Sequence, residues 1–323
     1  MDLVLSRMAE DAIGEDIYRE RFEKALKELL QLENPIAFRS PYSALAKAIE
    51  ICDLPKGAKI AVSALAPRWH RVAVEHAGYS PQILDVDEVS MHPTVEEIQK
   101  SNPSVLILFD ALGLPPPAEV LERAGVPIIE DFSQSLGQTL GVRSGNLSAH
   151  FLLWSMEADS AIATGGGAIL AARGKRDAQI LRALAENMVP ELAMTDYNAT
   201  LGFSQLRGYS RLLERRHAMY DRFAAQLSRT RHRSLEPQNG YTTAYAFPVF
   251  SETSAKDIVE YAKKYGVQVL PAFASSAAML ETDAEQRYPH ARRCALRCLL
   301  FPMHHKLTSQ NVDQIGKIIA TLP

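Results

Sequence analysis

Short apolar runs alternate with amphipathic segments through the first half of the chain. The runs SVLILF, residues 104–109, and VPIIED, residues 126–131, are shorter than typical helices and carry few polar positions. Between such runs, segments such as Thr94 to Lys100 place apolar residues at helical spacing. Strands buried on both faces and separated by helices are typical of βαβ units. The pattern therefore predicts an α/β fold with a mainly parallel sheet flanked by helices.

The same pattern predicts the remaining elements of this half. Further strands are predicted at residues 35–38, 59–65, 82–86 and 168–172. Further helices are predicted at Asp16 to Leu32, Pro67 to Ala77, Pro117 to Ala124 and Leu206 to Leu227. One more helix is predicted to begin at Ser40-Pro41, with Ser as the N-cap and Pro at the first helical position.

The C-terminal part of the chain has a different order of elements. Strands are predicted in AYAFPVF, VQVLPAF and CLLFPM, and helices at Ser254 to Tyr265 and Thr308 to Leu322. We therefore predict a large α/β domain over residues 1–234 and a small α+β domain over residues 235–323.

Composition narrows the classes of partner. The 323 residues are 47% hydrophobic and carry a net charge of -3 without a long basic run, which argues against nucleic acid. No apolar run approaches the ~20 residues of a membrane helix, and the acidic start does not resemble a signal peptide. A cytoplasmic protein that does not bind membranes is expected. The three cysteines lack metal-ligand spacing, so buried free thiols and no metal site are predicted.

Two polar stretches follow or precede predicted strands. The stretch EDFSQSLG, residues 130–137, begins at a strand end, where ligands bind in open α/β sheets. Asp131 is therefore a candidate to face a ligand, although the spacing equally suits an Asp that caps a following helix. The stretch TGGG, residues 164–167, lacks the GK[ST] of a phosphate loop and is interpreted as a backbone turn.

Five segments, taken in order, resemble the DegT/DnrJ/StrS family of sugar aminotransferases. They are FEKALKELLQLENPIAFRSPYSAL (22–45), GAKIAVSALAPRWHRVAVEHAGYSPQILDVD (57–87), IIEDFSQSLG (128–137), AMTDYNATLGFSQL (193–206) and CLLFPMHHKLTSQNVDQI (298–315). The resemblance covers nearly the whole chain. It implies the type I fold of pyridoxal-phosphate-dependent transferases, with a large domain and a small C-terminal domain.

The resemblance also implies roles for particular residues. In the family an acidic residue pairs with the pyridine nitrogen of the cofactor, and Asp131 matches that position. Gln134 matches a residue beside the cofactor ring. His304 lies in a stretch that packs near the cleft and is a ligand candidate, whereas the adjacent His305 is expected at the surface.

The family's Schiff-base lysine falls on Asp159 in this alignment. A carboxylate cannot form an imine or move a proton as the lysine does. No lysine occurs between Lys100 and Lys175, so a shift of one residue does not restore it. One subgroup of the family has His at this position, which Asp159 does not match either.

Other cofactor positions also depart from the family pattern. The phosphate-binding Ser, five residues before the lysine, falls on Trp154, with Ser155 as a neighbouring substitute. At the start of the phosphate helix, before Ser43, the family's Gly-Thr pair reads Pro41-Tyr42, and Pro lacks an N–H that could donate to phosphate. The aromatic residue that stacks on the ring falls on Pro67, with Trp69 two residues on, and a family His falls on Asp110.

Two functions follow from these matches and departures. The first is a homologue without lysine-dependent transamination, which binds a small molecule such as a nucleotide-sugar or acts as a non-catalytic partner, with no covalent cofactor. The second is an active enzyme, an aminotransferase or a dehydratase, with a rearranged site that holds pyridoxal or pyridoxamine phosphate without a covalent bond and uses Asp159 as the base. Either way, the family resemblance implies a homodimer whose subunits complete each other's cleft.

Overall fold

The computed structural model describes residues 4–6, 17–30, 32–136, 149–157, 160–235 and 245–323. Seven strands in this part form the main sheet: β1 (Glu33–Phe38), β2 (Lys59–Ser63), β3 (Ser80–Leu84), β4 (Val105–Phe109), β5 (Ile128–Asp131), β6 (Phe151–Ser155) and β7 (Ala168–Ala172). Their order across the sheet is β1-β7-β6-β5-β4-β2-β3.

The central strands of this sheet are parallel. β2 pairs in parallel with β3 and β4, β4 with β5, and β5 with β6, whereas β7 is antiparallel to both β6 and β1. The prediction of a mainly parallel sheet is therefore confirmed. Because parallel strands share a direction, the carboxyl ends of β2, β4, β5 and β6 meet at one edge of the sheet.

Helices cover both faces of the sheet. In the large domain they are α1 (Ile17–Leu30), α2 (Pro41–Ile51), α3 (Arg68–His76), α4 (Val95–Ser101), α5 (Ala118–Arg123), α6 (Lys175–Glu186), α7 (Asp196–Leu206) and α8 (Tyr209–Leu227). The start of α2 confirms the predicted Ser40 cap, because the Ser40 side chain accepts a hydrogen bond from the Ser43 N–H. The predicted helix Leu206 to Leu227 is wrong at its start, because Gly208 lies between α7 and α8 as the N-cap of α8.

Strand alternation divides the core between the two faces. On one face, Leu153 and Leu170 belong to the cluster that packs against α2 and α3. On the other face, Leu152 and Trp154 belong to the cluster that packs against α1 and α7. Successive residues of β6 therefore point to opposite sides of the sheet, which fixes which of them can reach a given site.

The C-terminal part forms a second, smaller sheet. Its strands are β8 (Phe247–Phe250), β9 (Leu270–Pro271) and β10 (Cys298–Phe301), in the order β8-β10-β9. Its helices are α9 (Ala255–Lys264), α10 (Ala277–Leu280), α11 (Ala284–Arg287), α12 (Pro289–Arg297) and α13 (Ser309–Ile319). Apolar residues of α8 join the core of this sheet, while α10 to α12 pack against the large-domain core. The core clusters thus extend across residue 235, and the boundary there remains a prediction.

The glycine stretch before β7 forms a turn. Gly165, Gly166 and Gly167 all have positive φ angles, and the Asn198 side chain of α7 donates to the carbonyl oxygens of Thr164 and Gly166. At Gly167 the φ angle of 133° is one that L side chains rarely adopt, so a substitution there would strain the backbone. The interpretation of TGGG as a backbone turn is confirmed.

The cysteines of the C-terminal part are buried free thiols, as predicted. Cys294 lies in α12, and burial raises the pKa of its thiol to about 12. Cys298 is the first residue of β10, and burial raises its pKa as well. No helix in the described ranges combines the length and apolar character that crossing a membrane requires.

Candidate functional site at the carboxyl end of the sheet

Asp131 ends β5 at the sheet edge where the parallel strands meet. Its carboxylate is 1% exposed and accepts hydrogen bonds at both oxygens from residues of this chain. Oδ2 lies 2.8 Å from Nε2 of His70. Oδ1 accepts from the Ser133 N–H at 3.0 Å and from the Ser133 hydroxyl. A buried carboxylate with these donors is stabilised without any bound group.

His70 supplies the partner that sequence reasoning did not find. It lies in α3, is 0% exposed, and donates through Nε2, because a carboxylate can only accept. Its ring lies edge-on to Trp69, with centroids 4.0 Å apart, and to Phe109 at 5.8 Å. No local pattern links His70 to Asp131, because 61 residues separate them. Only the placement of α3 over the end of β5 brings the two side chains together.

A second serine extends the network to the neighbouring strand. The Ser155 N–H at the end of β6 donates to the Ser133 hydroxyl oxygen at 2.7 Å, and that hydroxyl donates to Asp131. The turn after β5 is thereby tied to both strands. The arrangement fixes the acidic motif within the chain.

Gln134 and Asp110 are likewise engaged within the chain. Oε1 of Gln134 accepts from the Leu112 N–H at 2.7 Å, where Leu112 has a φ angle of 56°. Asp110, which follows β4, accepts a hydrogen bond from the Ser135 hydroxyl and is fully buried. Gln134 therefore supports a tight turn, and Asp110 anchors the loop after β5.

The start of α2 is capped by its own sequence. The Ser40 hydroxyl oxygen accepts a hydrogen bond from the Ser43 N–H at 3.1 Å, and the Ser43 hydroxyl donates to the Ser40 carbonyl oxygen. Pro41 stands at the first position and has no N–H. The Tyr42 hydroxyl lies 2.6 Å from Nδ1 of His76 in α3. Two backbone positions at this helix start therefore cannot donate freely to a phosphate: Pro41 has no N–H, and the Ser43 N–H is already bonded to Ser40.

Pro67 and Trp69 flank the start of α3. Pro67 is the N-cap residue and forms an isolated bridge with Ser276 of the C-terminal part. Trp69 is partly buried, packs against the core, and lies edge-on to the His70 ring. The position that the resemblance assigns to a stacking aromatic residue is therefore a proline at the N-cap of α3.

The structure corrects the predicted place of Trp154. Its side chain is fully buried on the α1 and α7 face, with its ring centroid 6.4 Å from that of Phe132. Strand alternation places Ser155 instead on the face of Leu153, the same face as His70. Trp154 therefore lies in the core, outside the cleft, and the proposed substitute Ser155 has the orientation that a site residue needs.

A match at Ser155 instead of Trp154 would place the family's lysine position at Ser160 rather than at Asp159. Five residues beyond Ser155 is Ser160, whereas Asp159 lies outside the described residues. The Ser160 hydroxyl is buried and has no hydrogen-bond partner among the residues that the structure describes. Neither Asp159 nor Ser160 is a lysine.

A cavity of about 660 Å³ begins at Ser160 and extends over the end of the smaller sheet. It brings Ser160 and the predicted ligand candidate His304 to one space, together with His305, Lys306 and Arg216. His305 is exposed, as expected, and also lines this cavity. Arg216 of α8 is 4% exposed, and its Nη1 donates to the Tyr245 carbonyl oxygen at 2.8 Å.

The two imidazoles of this cavity lie in a positive environment. Burial lowers the pKa of His304, and the charges of Arg216 and Lys306 lower it further. The pKa of His305 is lowered for the same reasons, with smaller effects from His304 and Arg215. An anion bound here would be attracted by the same charges.

A family model describes almost all of the chain. Residues 6–320 match the DegT/DnrJ/EryC1/StrS aminotransferase family, and the chain belongs to this family. GDP-perosamine synthase of Caulobacter vibrioides is 22% identical over 91% of this chain and 87% of its own length.

Solved structures agree with this assignment at the level of the fold. The aminotransferase TlmJ from Streptoalloteichus hindustanus superimposes with a TM-score of 0.86, at 21% identity, over 99% of this chain and 94% of its own. The putative sugar aminotransferase Spr1654 from Streptococcus pneumoniae, in its PMP form, gives 0.87 at 18% identity over 99% and 93%.

The described residues do not fit the cofactor at the place where the resemblance puts it. The resemblance assigns the pyridine nitrogen to Asp131, whose carboxylate is 1% exposed and already accepts hydrogen bonds from His70 and Ser133. The start of α2, with Pro41 and the self-capped Ser43, offers few donors for a phosphate.

Proposed function

We propose that this family member does not carry out lysine-dependent amino transfer and instead binds an anionic, nucleotide-sugar-like molecule in the cleft beside Ser160. The observation that carries the proposal is the hydrogen bond between His70 and Asp131. It supplies from within the chain the contact that the family takes from a cofactor. The absence of lysine from residues 101–174 supports the same reading, because the family's Schiff-base position falls within this range.

The choice of ligand rests on the cleft and on one relative. The cleft keeps an open cavity of about 660 Å³, within the ordinary range of small-molecule sites. Its charged lining is cationic, which suits a phosphorylated molecule. The name GDP-perosamine synthase describes an enzyme of a nucleotide-linked sugar, so guanosine diphosphate is a suitable first probe.

Pyridoxal phosphate provides the test of the first half of the proposal. The purified protein is mixed with pyridoxal phosphate, reduced with borohydride, desalted and weighed by intact mass spectrometry. We expect the unmodified mass, with heat-denatured protein as the control for non-specific lysine labelling. A stoichiometric adduct on one lysine of the folded protein, absent after denaturation, would overturn the proposal.

Restoring a lysine should not restore activity. We expect Asp159→Lys and Ser160→Lys variants to show no amino transfer to keto-sugars, because Pro41 and the His70–Asp131 pair still leave the ring and phosphate without their positions. Positioning contributes roughly 7–11 kcal/mol to catalysis, so a reactive group alone gives little rate. Robust transfer by either single variant would contradict the proposal.

The second candidate is an enzyme that holds an aminated cofactor without a covalent bond. Retention of Asp131 favours it, since this carboxylate is the residue that keeps a pyridine nitrogen protonated. Titration with pyridoxamine phosphate separates the two candidates. Tight, saturable uptake of this form, with His70 displaced, would replace the first proposal by the second.

We also propose that the protein is a homodimer, as the family resemblance implies. Exposed apolar side chains, among them Leu270 and Leu280, are each more than half exposed in the isolated chain. Light scattering tests the proposal: a mass near twice 35.7 kDa is expected. A monomer at micromolar concentration would contradict it.

A further inference from the structure

We infer that Glu281 is a positioning residue that holds α3 where His70 can reach Asp131. The backbone of residues 275–278 assists it, so the C-terminal part of the chain keeps the region around Asp131 closed. The inference deepens the proposed function, on which it rests, because it names what holds His70 in the place that the family leaves to a cofactor.

The start of α3 is held by the backbone of the C-terminal part. The N-cap residue of α3 is Pro67, whose side chain makes no capping hydrogen bond. The first N–H groups of a helix need partners outside it. Here the Arg68 N–H donates to the Ser275 carbonyl oxygen at 3.0 Å, and the Ala278 N–H donates to the Ala64 carbonyl oxygen at 3.1 Å. The C-terminal part thus supplies a partner that the N-cap residue does not.

A side-chain ion pair extends this contact along α3. Nη1 of Arg71 donates to Oε1 of Glu281 at 2.5 Å. The other carboxylate oxygen, Oε2, accepts from Nη1 of Arg287 at 2.9 Å and from the Tyr288 hydroxyl at 3.1 Å. Arg287 ends α11, and Tyr288 is the N-cap residue of α12. Glu281 therefore joins α3 to two helices of the C-terminal part.

Burial distinguishes this ion pair from an ordinary surface pair. The Glu281 side chain is 13% exposed and accepts hydrogen bonds at both oxygens. Arg71 also pairs with Glu75, but both of those side chains are about 40% exposed or more, and pairs of that kind contribute little. Glu75 lies in α3 itself, so its contact cannot fix the helix to another element. The contact that fixes α3 is the one with Glu281.

A cavity of about 350 Å³ lies between α3 and the C-terminal part. It is lined by Ser63 at the end of β2, by Arg68 and Arg71 of α3, and by Leu280 and Glu281. A closely packed interior resists displacement, whereas a helix that borders a cavity has room to shift towards it. On this side of α3, polar contacts beside the cavity therefore hold the helix in place.

The position of α3 decides whether His70 reaches Asp131. His70 precedes Arg71 by one residue in this nine-residue helix, so a shift of the helix moves both side chains. Nε2 of His70 lies 2.8 Å from Oδ2 of Asp131. A displacement of about 1 Å would take the two atoms beyond hydrogen-bond distance. Loss of the Glu281 contact is therefore expected to weaken the hydrogen bond at Asp131.

The imidazole N–H signal of His70 in nuclear magnetic resonance tests the inference. The full-length protein is labelled with ¹⁵N-histidine, and the signal is identified by its loss in His70→Gln or by through-space contacts with the Phe109 ring. An N–H that donates to a buried carboxylate resonates downfield and exchanges with water only when its surroundings open. In Glu281→Gln we expect an upfield shift and exchange about tenfold faster, the factor that corresponds to one charge-assisted hydrogen bond.

Further variants separate positioning from a general loss of stability. Arg71→Gln should shift the signal as Glu281→Gln does, and the double variant should shift it no further, because both changes remove the same contact. Glu75→Gln is the charge-matched control and should leave the signal in place, since its contact lies within α3. Val312→Ala destabilises the core of the smaller sheet and should also leave the signal in place.

The outcomes separate this inference from the proposed function. An unchanged His70 signal in Glu281→Gln and Arg71→Gln would overturn the inference, as would an equal shift in Val312→Ala. Exchange too fast for the signal to be seen in the wild type would also overturn it, because α3 would then not hold His70 on Asp131. A covalent pyridoxal phosphate adduct would refute the proposed function, whereas the dependence of the His70 signal on Glu281 would still stand.

Discussion

Two regions of the molecule, the end of β5 at Asp131 and the cavity at Ser160, differ in how much space they leave for a ligand. At the end of β5, Asp131 is closed off by His70 and Ser133, with both oxygens bonded inside the chain. At Ser160, the cavity is open to a volume of about 660 Å³, and Arg216 and Lys306 are among the side chains that line it. The family's acidic motif is preserved in the closed region, whereas the open region keeps room for a ligand.

The comparison teaches that the function of a motif residue depends on the partners that its side chain has in the fold. Asp131 alone would indicate a cofactor site. Its partner His70 shows that the carboxylate also has donors within the chain, which a buried carboxylate needs whether or not a cofactor supplies one. The open cavity, which no motif marks, is the better place to look for a ligand.

The largest expected effect tests which face Trp154 occupies. Trp154→Ala should lower the free energy of unfolding by about 3–5 kcal/mol, because the side chain is fully buried against Phe132 and the core of that face. Affinity for guanosine diphosphate should not change at temperatures where the variant is folded. Chemical denaturation and calorimetry measure the two quantities.

Ser155→Ala is the matched control for this variant. It removes a partly buried hydroxyl on the other face and keeps the N–H that donates to Ser133, so a stability change within about 0.5 kcal/mol is expected. If Trp154→Ala were as mild as Ser155→Ala, or weakened anion binding in the folded protein, Trp154 would belong to the cleft after all.

A double-mutant cycle tests the closed region. His70→Leu and Asp131→Leu should each destabilise the protein by about 2–4 kcal/mol, because each leaves a buried polar partner without its hydrogen bond. The double variant should lose less than the sum, with a coupling energy of about 1–3 kcal/mol. Urea denaturation provides the four free energies, and strictly additive losses would show that the contact contributes nothing.

Much of the fold could be predicted from the chain because its signals are local. The run Val105 to Phe109 is a buried strand, and Thr94 and Thr308 cap the helices that follow them through their own side chains. The strand predicted around Leu270 shortens to two residues, since it pairs only with β10 at the sheet edge and Pro271 lacks an N–H.

The candidate site could be predicted only in part, because its geometry depends on distant residues. The motif identified Asp131, but its partner His70 comes from a helix 61 residues earlier. The choice between Trp154 and Ser155 depends on the register of β6, and a shift of one residue exchanges the two faces of the sheet. The cavity at Ser160 forms because the turn after β10 packs against α8, and no local sequence pattern predicts that packing.

The smallest expected effect concerns the open region and pH. Burial and the charges of Arg216 and Lys306 hold the pKa of His304 and His305 below 6.5 in the folded state. As pH falls through 6.5, the unfolded chain takes up protons that the folded chain resists, so stability decreases. The decrease between that pH and the lowered pKa should be slightly smaller in His304→Gln/His305→Gln. Thermal unfolding of the wild type and the double variant across this pH range measures the difference. An identical pH dependence of stability in the two proteins would show that the pKa values of these imidazoles are not lowered in the folded state.

A crystal structure of the protein grown with pyridoxal phosphate tests the central claim most directly, because it shows which group occupies Asp131. Our account predicts that Nε2 of His70 remains hydrogen-bonded to Oδ2 of Asp131, near 2.8 Å, and that no cofactor ring lies beside the carboxylate. A pyridine nitrogen hydrogen-bonded to Asp131, with His70 turned away, would contradict it.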